Sequence, residues 1–75
     1  MSHKFTKLGN VLDGDNYEWL LSENPVVAEV IETEVLAGAT PEDIRRYMLA
    51  QIGDHRTAYI NRCVSAARWL EGRRD

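Results

Sequence analysis

The chain is poor in the residues that staple, coordinate or anchor a protein. Among its 75 residues there is one cysteine, Cys63, and there are two histidines, His3 and His55. A single cysteine excludes an intramolecular disulfide framework, and two isolated histidines give no zinc-finger spacing. No metal site and no cofactor is therefore expected. No apolar run approaches the length needed to cross a bilayer, and the opening residues MSHKFTKLGN lack the apolar stretch of a signal peptide. The expectation is a cytoplasmic protein with no membrane partner. Internal repeats and low-complexity linkers are also missing, and a chain of this length has room for one hydrophobic core.

What is present is an ordinary globular composition with a marked polarity of charge. The chain is 44% apolar and 28% charged, which places it among folded proteins. Its formal charge of −3 conceals a division along the sequence. Residues 1 to 43 set two lysines against nine acids, a net of −7; residues 44 to 75 set seven arginines against three acids, a net of +4. Two halves of opposite sign can attract each other within one fold or across a homodimer, or can offer a face to nucleic acid or to an acidic partner. Overall acidity weighs against tight phosphate binding and favours mutual attraction.

The residues predict an all-α fold, a small bundle of about four helices at about 16–22, 25–37, 41–52 and 55–71, with an irregular N-terminal arm. Residues 1 to 14 scatter Phe5, Leu8, Val11 and Leu12 among Lys, Gly and Asn, as an arm or a short hairpin turning at Gly9-Asn10 would. Asp15 with Glu18 three residues on has the form of a helix cap. Asn24-Pro25 opens a second helix and Gly38 closes it. That segment is apolar around most of its circumference, which predicts the central helix. Thr40-Pro41-Glu42-Asp43 is the plainest start signal in the chain, joining a capping hydroxyl, a first-position proline and acids at the positive helix end. Gly53 ends that helix, Asp54 begins again, and Gly72 closes the last one. Residues 15–72 then form one domain, and 73–75 are a tail.

No constellation of residues carries catalytic chemistry. Gly9 and Gly14 lie five apart, but no Lys-Ser/Thr follows and no buried strand precedes them, so a phosphate-binding loop is excluded. Asp13, Asp15 and Glu18 lack the glycine and distal glutamate of a calcium loop. Cys63 falls on an apolar helix face, and His55, more than two helical turns away, cannot activate it. Glu29, Glu32 and Glu34 have no partner acid across a cleft.

One stripe of the last helix points to binding. Arg62, Ser65 and Trp69 share a side opposite much of the apolar face, with His55 and Arg73 nearby. Trp and Arg are the types most enriched in binding hot spots and also suit contact with phosphate or bases. Either these residues form a partner-binding face, or Trp69 is covered by the arm or by the first helix. Two helices joined through a glycine also invite comparison with a helix-turn-helix, but only Gly53 and Asp54 separate them where three to four residues are usual. The function expected is that of a non-enzymatic small regulatory protein binding a larger protein or protein–nucleic acid complex, such as a bacterial or phage-type modulator of transcription machinery. The alternative is a DNA-binding protein using the basic final helix.

Overall fold

The computed structural model describes residues 2–73, with side chains from residue 12 to residue 73. Four α-helices follow in order, α1 (Ser2–Glu23), α2 (Pro25–Leu36), α3 (Pro41–Ile52) and α4 (Thr57–Gly72), with a single 3-10 turn (Asp54–Arg56) ahead of the last. The fold is the all-α bundle that the sequence predicts.

Local chemistry accounts for most of the helix ends. At the start of α2 the Asn24 side-chain oxygen accepts a hydrogen bond from the Val27 N–H at 3.3 Å, and Pro25 takes the first turn, where a missing N–H costs nothing. At its end Gly38 adopts φ 114°; its N–H donates to the Val35 carbonyl and the Ala39 N–H donates to the Glu34 carbonyl. This pair of bonds satisfies carbonyls that the helix leaves open, and needs the left-handed conformation that glycine tolerates. At α3 the Thr40 hydroxyl accepts from the Asp43 N–H at 3.1 Å, while the Asp43 carboxylate accepts from the Thr40 N–H at 3.0 Å. The two orphan donors are thereby satisfied reciprocally. After Gly53 the chain makes the 3-10 turn, and the Thr57 hydroxyl donates to the Asp54 carbonyl at 2.7 Å. α4 therefore begins two residues later than the expected 55.

The first helix departs from expectation at its start. Leu12, Asp13, Gly14 and Asp15 are already helical, so Asp15 is an exposed interior residue rather than a cap. The reason is tertiary: Gly14 lies against Trp69 of α4, and the close approach favours helix there despite the glycine. The rest of the expected arm, residues 1 to 11, lies outside the residues whose side chains are described, as does the end of the expected tail at residues 74 and 75.

The central element is α4, not α2. Cys63, Val64, Ser65, Ala66 and Ala67 are five consecutive buried residues, which on a helix means contact all the way round. α1, α2 and α3 all pack on α4, and α1 also packs on α2. The small side chains of α4 allow those approaches. The core is completed by Leu20 of α1, Ala28, Ile31 and Val35 of α2, Ile44 and Met48 of α3, and Ile60 and Leu70 of α4. Each of the large aliphatic side chains contributes roughly 1.5–3 kcal/mol by leaving water. α2 by contrast buries only three residues and leaves Val26, Val30 and Leu36 exposed.

Candidate partner-binding surface

The stripe read from the last helix is divided between packing and exposure. Ser65 is 4% exposed. Its hydroxyl donates to the Asp13 carboxylate and accepts from the Asn16 side-chain amide at 2.9 Å. Asp13 in turn lies 3.5 Å from the Arg68 guanidinium. This network ties α1 to α4 and is the cross-helix expression of the acidic and basic halves. Glu34 makes no ion pair with an arginine among the described residues.

Trp69 is part of the same α1–α4 contact. Its ring stacks on Tyr17 with centroids 5.0 Å apart and planes 21° from parallel, and the Arg73 guanidinium lies 4.6 Å from its centroid. Of the two readings of Trp69, cover by the first helix is the one found. Arg73 is exposed and stacked on the indole. Burial, then the nearby Glu32 carboxylate, raises the Tyr17 phenol above its ordinary value, so this aromatic layer reaches α2 as well.

Arg62 and His55 open onto a different feature, at the start of α4. The Arg62 guanidinium lies 4.4 Å from the centroid of Trp19, and that of Arg56 lies 4.7 Å from the centroid of Tyr59. Trp19 and Tyr59 meet edge to face, with centroids 6.1 Å apart. The order Arg62, Trp19, Tyr59, Arg56 is a continuous ladder of cation, ring, ring and cation. With exposed His55, Thr57 and Ala58 it lines an open cleft of about 360 Å³. The Arg62 guanidinium also donates to the Asn16 side-chain oxygen at 3.4 Å. Among the described residues neither Arg56 nor Arg62 has a carboxylate within ion-pair distance. Stacking fixes each guanidinium plane and leaves its N–H edges for an anionic acceptor.

Sequence reasoning missed Trp19, Tyr59 and Arg56 as members of this set. Trp19 reaches Arg62 from another helix, and no spacing along the chain reports that. Arg62 and His55, both in the same cleft, were the local signals.

A second feature adjoins the first. α2 and α3 both rest on α4 but scarcely touch each other, leaving a groove of about 310 Å³ lined by Val26, Val30, Tyr47, Met48 and Ile52 and ending at Arg56 and Tyr59. The Tyr59 hydroxyl accepts from the Asn24 amide at 3.4 Å at that end.

The single cysteine is withdrawn from both surfaces. Burial pushes the Cys63 thiol up to about 11, far from the thiolate form a nucleophile requires. Among the described residues no group of three His, Cys, Asp or Glu side chains could hold a metal ion, and no helix is long and apolar enough to cross a membrane. No family model, no curated protein and no solved structure matches this chain.

Proposed function

We propose that this chain is a non-enzymatic small regulatory protein that binds a larger macromolecular complex, and that the cleft at the start of α4 receives an acidic segment of a protein in that complex. The observation that carries the reading is the ladder of Arg62 on Trp19 and Arg56 on Tyr59, two guanidiniums stacked on rings and, among the described residues, unpaired with carboxylates. A cation held this way has already lost much of its side-chain freedom, so less entropy is lost when an anion docks. Arg, Trp and Tyr are also the types that dominate binding energy at interfaces.

The size and setting of the cleft favour a discrete acidic segment over a nucleic-acid duplex. The positive spot is local, the chain as a whole is acidic, and Asp15, Glu18 and Glu23 are exposed on the adjoining helix. A duplex presents phosphate continuously and would meet those carboxylates. Reading DNA with α4 is the alternative, and the burial of seven residues of that helix leaves it little free face for a major groove.

Affinity capture from the source cell, with the unmodified chain and an Arg56→Ala, Arg62→Ala double variant, tests the reading. The expected result is loss of the same protein partners from the variant at unchanged helical content. Equal recovery with both chains contradicts it.

A further inference from the structure

We infer that the apolar groove between α2 and α3 is the docking face for a second copy of this chain, related to the first by a two-fold axis. The groove goes beyond the cleft just described: it adjoins it at Arg56 and Tyr59, and its other lining residues lie on α2 and α3 or at Asn24 between α1 and α2. Val26 is 69%, Tyr47 47% and Val30 38% exposed, a run of large apolar surface on two adjoining helices. Contiguous exposed apolar surface of this kind marks an interface more often than it marks open surface.

The occupant follows from how charge is laid along the groove. Val30 and Tyr47 lie at its middle, lining both the main hollow and a smaller one beyond it. The smaller hollow, of about 180 Å³, ends on Glu34 and Asp43, and the main hollow ends on Arg56. One end is acidic and the other basic, with an apolar centre. A surface patterned this way is complementary to itself when turned through 180°: Arg56 of each copy then faces Glu34 of the other, and Val30 and Tyr47 meet their own equivalents at the axis. Isologous contact of this form closes at two copies. Asp43 is already committed to Thr40 and Arg46, so Glu34 is the acid left to pair. Helices of 12 residues give a face about 18 Å long, which is at the small end for stable interfaces, so the dimer is reversible and depends on concentration.

Sedimentation velocity on the full chain from micromolar to millimolar concentration gives the first result. A shift from one-chain to two-chain mass is expected, and a monomer throughout overturns the proposal, as it would if the groove served a helix of another protein instead. Val30→Asp, at a partly exposed position, should weaken association by at least about tenfold while circular dichroism stays unchanged. Arg56→Glu and Glu34→Arg should each weaken it severalfold, and combining them should restore it; no restoration overturns the antiparallel arrangement. Disulfide trapping locates the axis in a Cys63→Ala background. Val30→Cys should cross-link to itself faster than Val26→Cys, although residue 26 is the more exposed, and the reverse order contradicts the placement of the axis.

Discussion

Replacing Gly14 by alanine sets two opposing effects against each other within one helix. In an exposed helix interior the change stabilises by about 1 kcal/mol, because alanine has less backbone entropy to lose. Here the added Cβ would stand 3.0 Å from Nε1, 3.3 Å from Cδ1 and 3.6 Å from Cε2 of Trp69. The indole must therefore give way by a few tenths of an ångström. It is clasped between Tyr17 and Arg73, so moving it disturbs the stacked pair and the cation contact together. Overpacking of this kind costs roughly 1–3 kcal/mol, which outweighs the propensity gain and leaves Gly14→Ala destabilising by about 1 kcal/mol net. For a domain of this size that lowers Tm by about 4–8 °C. The same change made with Trp69→Phe, which removes the indole nitrogen, should recover the helix-propensity gain and turn stabilising. Thermal and urea unfolding of the four chains, followed by far-UV circular dichroism, measures the coupling, expected at about 1 kcal/mol or more. If Gly14→Ala raises stability by the full propensity gain, or acts equally in both backgrounds, the close α1–α4 approach is refuted.

Four further outcomes rest on other contacts of the bundle. Ser65→Ala should cost about 1–3 kcal/mol, because it strips partners from the Asn16 amide and the Asp13 carboxylate at a buried position; a change near zero in urea unfolding would show that the network contributes little. Thr40→Ala should cost about 1 kcal/mol through loss of the α3 cap. Hydrogen bonds from the Thr40 backbone N–H and then from Arg46 lower the Asp43 carboxyl from 3.8 to about 2. Because folding depresses this value, the stabilisation is fully present above 3.8 and is lost as pH falls through about 2. Unfolding of the unmodified chain and of Asp43→Asn should therefore converge across that window, and parallel curves would count against the cap. The Cys63 thiol, held up at about 11 by burial, should resist a thiol reagent in the native state at neutral pH and react at the rate of global unfolding.

How much of this was legible in the sequence depended on whether the determining contact was local. The α3 bounds coincide with the expected 41–52 because Thr40, Pro41, Asp43 and Gly53 set both ends by bonds within a few residues. Asn24, Pro25 and Gly38 did the same for α2. Gly14 and Asp15 misled, since a glycine followed by a capping type reads as a turn, and only Trp69, distant in sequence, reverses that reading. α2 looked central because its apolar residues go all round; yet a ring of valines does not say which of them finds a neighbour. The run from Cys63 to Ala67, small enough for three helices to approach, was the better mark of the centre. Arg62 was legible as a binding candidate but its ring, Trp19, was not. The groove was wholly hidden, because it is a gap between two helices and no residue encodes a gap.

The cleft at the start of α4 is tested most directly by titrating the isotope-labelled chain with a short poly-glutamate peptide and, separately, with a mixed-sequence DNA duplex, both at low salt. The peptide should shift the Trp19 indole and the backbone amides of residues 55 to 62 saturably, and Arg56→Ala with Arg62→Ala should abolish those shifts. Saturable shifts along α4 with the duplex, and none at Trp19 with the peptide, would contradict the proposed role of the cleft.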